Sequence, residues 1–123
     1  MSGAVRKSSP PPGLRGAIDY IDKHYTEPLR VEQVADIAGL TQLEFSRLFR
    51  KQKRATFEKY VIDLRLERAK QLLSSTELNA TRVAELSGFN SSQYFSRVFR
   101  NKLGVTPLEF RNALPRAAGR SKK

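Results

Sequence analysis

A chain of 123 residues has room for one domain, or for two very small ones that share an element. The absence of cysteine excludes disulfides and thiolate metal sites. No apolar run approaches the ~18 residues of a membrane helix, and MSGAVRKSSPPPG at the start lacks the apolar stretch of a signal peptide. A formal net charge of +11 points to a polyanionic partner if the charge is focused.

Residues 1–13 read as a disordered tail or interdomain linker, because Ser-Ser-Pro-Pro-Pro-Gly cannot bury a core and favours extended backbone. The ordered part then begins at Leu14 and is helical throughout, with no run of strand alternation. LRGAIDYIDKHY places Leu14, Ala17, Ile18 and Ile21 on one helix face and ends at His24, where a cation suits the helix C-terminus. VEQVADIAG is a short second helix stopped by Gly39. Thr41 is the expected N-cap of a third helix running to about Lys53. A long fourth helix follows from near Thr56 to Ser74. NATRVAELSG and SSQYFSRVFRNKLG repeat the short-helix, turn, helix arrangement, and Pro107 opens a last short helix, PLEFRNAL.

The repetition is literal in places. VADIAGL (34–40) matches VAELSGF (83–89), and FSRLFR (45–50) returns as FSRVFR (95–100) after a one-residue insertion. The spacing of Val34, Ala35, Ala38, Gly39, Leu40, Phe45 and Leu48 lets two helices approach at a small residue and turn tightly at the glycine. That is the signature of a helix-turn-helix, whose second helix enters the DNA major groove. Val83, Ala84, Gly88, Phe89, Phe95 and Val98 form the second copy.

Charge follows the same two copies. Residues 41–54 carry a net +4 and residues 91–104 a net +3, whereas the rest of 14–114 sums to −2. At about 100° per residue, Phe45, Leu48 and Phe49 fall on one side of the third helix, as do Phe95, Val98 and Phe99 in the second copy. These are core positions. Opposite them stand Leu43, Ser46, Arg47 and Arg50, and Gln93, Ser96, Arg97 and Arg100. With Gln42 and Ser92 at the helix starts, these are the expected base-facing residues. Thr41, Lys51, Lys53, Arg54, Arg82, Ser91 and Lys102 are the expected phosphate contacts. The long helix carries two apolar stripes on opposite sides: Phe57, Tyr60, Val61, Leu64 and Leu72 against Ile62, Leu66, Ala69 and Leu73. It reads as a connector spanning ~27 Å, compatible with recognition helices ~34 Å apart on one DNA face. Arg65 and Arg68, beside those stripes, read as partners of carboxylates.

LRVEQVADIAGLT, FSRLFR, LRLERAKQLL and VAELSGFNSSQYFSRVFRNKLGVTPLEFR together resemble the AraC/XylS family of bacterial transcription regulators, over residues 14–113. The resemblance implies an all-α domain of about seven helices, with two helix-turn-helix subdomains (14–54 and 76–114) joined by a connecting helix (55–75) and followed by a basic tail (115–123). It implies sequence-specific double-stranded DNA binding at promoters, with two recognition helices in successive major grooves, and activation through contact with RNA polymerase. Family base-reading positions map onto Leu43, Ser46 and Arg47, and onto Gln93, Tyr94 and Arg97. It further implies a bacterial cytoplasmic, nucleoid-associated protein, monomeric in this domain, which is either a stand-alone regulator or the C-terminal part of a longer one, with SSPPPG then the linker from an effector-sensing domain absent from this chain.

Two departures stand out. Arg54 occupies a place where the family commonly has glycine, whereas Gly104 keeps it; the first turn therefore differs, or Arg54 reaches a phosphate. Glu44 on the flank of a basic helix would accept from cytosine or pair with Arg47 or Lys51. No cofactor, metal or enzymatic activity is expected: there is no phosphate loop, no histidine-carboxylate cluster and no nucleophile elbow. A protein-interaction module and a nonspecific basic nucleic-acid binder are the alternatives, distinguished by whether binding to a selected promoter exceeds binding to random DNA.

Overall fold

The computed structural model describes residues 12–114. The expected basic tail, and the expected linker apart from Pro12 and Gly13, lie outside the described residues. Seven helices and no strand are found among them: α1 Pro12–His24, α2 Val31–Ala38, α3 Gln42–Lys53, α4 Phe57–Ser75, α5 Ala80–Ser87, α6 Ser92–Leu103 and α7 Pro107–Ala113. Helix α1 begins two residues before the expected Leu14, because a proline at the first helical position gives up only an amide that has no helical acceptor. The chain divides into two compact units within α4, between Leu64 and Arg65.

In the first unit, Leu14, Ala17, Ile18 and Ile21 of α1 join Val34, Ala35, Ala38, Phe45, Phe49, Phe57 and Val61 in one buried cluster. Phe45, Phe49 and Phe57 meet edge-on or tilted, with centroids 5.4–6.2 Å apart, the arrangement that aromatic quadrupoles favour. One polar link ties α4 back to α1: the Tyr60 hydroxyl donates to Asp22 Oδ1 at 2.6 Å. Burial first, and then the bond to and charge of Asp22, raise the Tyr60 phenol above its ordinary range and keep it a donor.

In the second unit, Leu66, Ala69 and Leu73 of α4 are buried, as are Val83, Ala84, Phe89, Phe95, Phe99 and Pro107. Phe89, Phe95, Phe99 and Phe110 meet consecutively, tilted or edge-on, with centroids 5.0–5.5 Å apart. Helix α7 is tied to α4 by Arg111, whose Nε donates to the Leu73 carbonyl at 2.9 Å. The two stripes of α4 divide along its length: Phe57 and Val61 belong to the first core, while Leu66, Ala69 and Leu73 are buried in the second unit. Leu72, grouped by periodicity with the first stripe, is half-buried in the second unit.

Candidate nucleic-acid interface

Each unit contains a short helix, a left-handed turn and a second helix, built by the same backbone hydrogen bonds. In the first, the Gly39 N–H donates to the Asp36 carbonyl and Leu40 N–H to that of Ala35, both at 3.0 Å. In the second, Gly88 N–H reaches the Glu85 carbonyl at 3.2 Å and Phe89 N–H that of Ala84 at 2.9 Å. This 6→1 and 5→2 pair is the Schellman closure, which needs φ > 0 at the glycine; φ is 73° at Gly39 and 102° at Gly88. The residue after each glycine then turns inward, and the second helix starts two or three residues later.

Helical period fixes which side chains of those second helices are available. Phe45, Phe49, Phe95 and Phe99 are all fully buried, so the opposite faces of α3 and α6 project outward. On α3, Gln42, Leu43, Ser46, Arg47, Arg50 and Lys51 are exposed, Leu43 at 68% despite being apolar. On α6, Gln93, Tyr94, Arg97, Arg100 and Lys102 are exposed, and Ser92 and Ser96 are half-buried. Among the described residues, Arg47, Arg50 and Arg97 form no ion pair with a carboxylate.

The two helix starts differ. Thr41 caps α3: its Oγ1 accepts from the Glu44 N–H at 3.1 Å, and its own N–H donates to Glu44 Oε1 at 2.9 Å. Glu44 therefore closes a reciprocal capping box, rather than pairing with Arg47 or Lys51 or standing free for cytosine. Ser91 caps α6 in half of that arrangement, its Oγ accepting from the Tyr94 N–H at 3.1 Å. With Tyr94 at the third position, no carboxylate covers this start. Among the expected phosphate contacts, both Thr41 and Ser91 thus hold a backbone amide of their own helix and retain the hydroxyl hydrogen as a donor.

The remaining cations are held to different degrees. Lys53 Nζ sits 5.3 Å from the Tyr60 ring centroid, a cation–π seat that leaves it only half exposed. Arg82 Nη1 meets Glu85 Oε1 at 2.6 Å on an exposed helix surface, where solvent leaves such a pair worth little. Arg54 is exposed and adopts φ 61°, ψ 28°, its N–H donating to the Arg50 carbonyl at 2.8 Å. The first turn therefore does not differ from the second, where Gly104 has φ 81° and the equivalent bond to Arg100 is also 2.8 Å. Arg65 is half-buried; desolvation lowers its pKa, opposed by attraction from the Tyr94 phenol. Tyr94 itself is 37% exposed, its ring 6.1 Å from that of Phe89 and 5.7 Å from the Arg97 guanidinium carbon. Sequence reasoning missed the Tyr94–Arg97 and Lys53–Tyr60 seats; the Tyr94–Arg97 spacing of three along a helix was the available signal.

Among the described residues no group of histidine, cysteine, aspartate or glutamate is placed to hold a metal ion, and no helix is long and apolar enough to cross a membrane. The single histidine, His24, stacks on Tyr20 at 4.2 Å and bonds Glu27 at 2.9 Å across the end of α1.

The family model for a helix-turn-helix domain matches residues 34–113. The chain is 35% identical over 92 residues to the probable transcriptional regulator LumQ of Photobacterium leiognathi, covering 75% of this chain and 37% of that protein. It spans roughly a third of the length of the first curated relatives it matches. Among solved structures, the DNA-binding domain of AdpA, a global transcriptional factor crystallised with a target DNA, superimposes with TM-score 0.79 at 28% identity, over 82% of this chain and 91% of that one. A transcriptional regulator with an AraC-type DNA-binding domain from Chromobacterium violaceum gives TM-score 0.74 at 33% identity, over 85% and 95% of the two chains. The repeated Schellman turns, the buried phenylalanine pairs and these likenesses converge: the chain belongs to the AraC/XylS family of transcription regulators, and what it carries is the family's double helix-turn-helix DNA-binding domain.

Proposed function

We propose that this chain binds double-stranded promoter DNA sequence-specifically by inserting α3 and α6 into successive major grooves. The observation that carries this reading is the pair of outward faces, each basic and each set opposite two fully buried phenylalanines. Arg47, Arg50, Arg97 and Arg100 suit guanine O6 and N7, and Gln42 and Gln93 suit adenine. Ser46, Ser92 and Ser96 add short-range donors, and Leu43 reads a thymine methyl. Thr41, Lys51, Lys53, Arg54, Arg82, Ser91 and Lys102 hold phosphates and set the register.

The bound domain activates transcription by contacting RNA polymerase, in the bacterial cytoplasm and on the nucleoid. An effector-sensing segment outside this chain would account for the greater length of its relatives. The domain binds as a monomer, because two motifs in one chain already supply two half-sites.

The test is selection of binding sequences from random duplexes, followed by footprinting. Two protected tracts about one helical turn apart are expected. Arg97→Ala costs about 1–3 kcal/mol and relaxes preference at one base pair, whereas Lys102→Ala lowers the salt slope by about one unit. No enrichment of any sequence over random DNA overturns the reading and favours nonspecific charge attraction.

A further inference from the structure

The two outward faces are not equivalent, and the difference lies at two aligned positions around a shared arginine. Leu40, Glu44 and Arg47 in the first copy correspond to Phe89, Tyr94 and Arg97 in the second. In the first copy the middle residue is committed to the helix start, its carboxylate receiving the Thr41 N–H at 2.9 Å. Arg47 therefore has no aromatic surface at that position. In the second copy the middle residue is an aromatic whose ring has two neighbours: Phe89 at 6.1 Å and the Arg97 guanidinium at 5.7 Å. Phe89 is itself fixed, being buried at 5% exposure and locked by its N–H bond to Ala84 in the turn. A rigid turn thus seats a ring, and the ring seats an arginine.

An arginine on an exposed helix face samples many rotamers, and immobilising it on DNA costs conformational entropy. A guanidinium already held over an aromatic face has lost part of that freedom before binding. We propose that Tyr94 is a positioning residue: its ring, braced by Phe89, presets the direction of Arg97 and makes α6 the sharper reader of sequence. This differs from the role implied by family resemblance, in which Tyr94 reads a base itself. The inference rests on the DNA-binding reading above.

The experiment uses the chain with its selected duplex and a duplex altered at the base pair whose preference Arg97→Ala relaxes. The readout is the ratio of the two dissociation constants. Tyr94→Leu lowers that ratio about two- to fivefold, the range of an exposed cation–π contact, and Tyr94→Phe, which keeps the ring, restores it. In an Arg97→Ala background, Tyr94→Leu produces no further loss at that pair. Without DNA, the Arg97 side-chain NMR resonances carry a ring-current shift that Tyr94→Leu abolishes and Tyr94→Phe keeps; circular dichroism confirms that each variant is helical. The proposal fails if Tyr94→Phe loses as much as Tyr94→Leu, since the hydroxyl would then contact DNA. It fails equally if the loss persists undiminished without Arg97. A wild-type chain that discriminates no sequence defeats the DNA-binding reading, and this inference with it, a result separable from discrimination that survives Tyr94→Leu.

Discussion

Arg54 is the one described non-glycine residue with positive φ, and its substitution tests structure and binding in opposite directions. At φ 61° and ψ 28° the Cβ crowds the backbone, at a cost of about 1–2 kcal/mol for an L-residue. Arg54→Gly removes that cost, while the added freedom of glycine in the unfolded chain returns about 0.4–1 kcal/mol. The expected net gain is ~0.5–1 kcal/mol, or ~3–6 °C in Tm for a domain of this size. Arg54→Ala keeps the crowded geometry and gains nothing. Gly104→Ala is the mirror case: φ is 81° and a Cβ there meets no atom within 4 Å, so strain alone sets its price, about 0.5–1 kcal/mol. Urea denaturation followed by circular dichroism measures all three. Salt-dependent DNA binding supplies the second axis, because loss of one phosphate contact lowers the slope of log K against log salt by about 0.9. Arg54→Gly is thus more stable and a weaker DNA binder, and Arg54→Ala shares only the weaker binding. Equal effects of Arg54→Gly and Arg54→Ala on stability would refute the strain argument, and an unchanged salt slope in both would remove Arg54 from the phosphate contacts.

Four further substitutions and one pH dependence follow from the same geometry. Gly13→Ala would drive a Cβ into the Ala38 carbonyl oxygen and destabilise by about 1–3 kcal/mol in a thermal melt, whereas Gly16→Ala, which meets nothing within 4 Å, stabilises by about 0.5–1 kcal/mol. Ser87→Ala deletes a fully buried hydroxyl that has no hydrogen-bond partner and stabilises by about 1 kcal/mol in urea unfolding; the aligned residue of the first copy is already Ala38. Glu44→Gln keeps a side chain able to close the capping box but removes the negative charge from the start of α3, so DNA affinity rises, most at low salt. Hydrogen bonding from the Thr106 backbone, outweighing desolvation and helped by the Thr106 hydroxyl and the Arg100 charge, holds the Glu109 carboxyl below its ordinary 4.5. A depressed acid stabilises above its unfolded pKa and loses that contribution as pH falls through the folded one. Acid titration of stability should therefore show a component below pH 4.5 that Glu109→Gln removes.

Helix order and the cores were legible because burial imposes a period. Phe45 and Phe49, or Phe95 and Phe99, can be buried together only if the intervening Ser-Arg pair faces out. Thr41 and Pro107 were legible as helix starts because their chemistry is local. The capping boxes were written in the sequence as Thr41–Glu44 and Thr106–Glu109, yet Glu44 also sits among basic residues, and its backbone role outcompetes pairing with Arg47 or Lys51. What could not be read was anything requiring one element to meet another. The Tyr60–Asp22 bond spans 38 residues of sequence, and the seat of Lys53 over Tyr60 depends on the path from α3 into α4. Arg54 shows a further limit: the preference of a turn for glycine is an energy of about 1–2 kcal/mol, small enough for the surrounding helices to override.

Divergence between the two copies has a consistent physical direction. The first copy strengthens its own helix start with a carboxylate, fills the end of its short helix with Ala38, and accepts a strained Arg54 beyond α3. The second leaves its helix start without a carboxylate, tolerates the unpartnered Ser87, and closes α6 with an unstrained glycine. Exposed cations cluster on both second helices; on α6 the exposed Arg97 meets the Tyr94 ring, whereas on α3 the cation over a ring is the half-exposed Lys53 at the helix end. If Lys51, Lys53 and Arg54 hold phosphates as proposed, the end of α3 suits sequence-independent grip. An α6 with preset Arg97, and with Gln93 beside it, suits discrimination. If that division holds, Arg47→Ala should relax base preference less than Arg97→Ala does. Competition binding with random and selected duplexes reads the difference, and equal base preference lost from each would show that the two copies share the work of reading sequence.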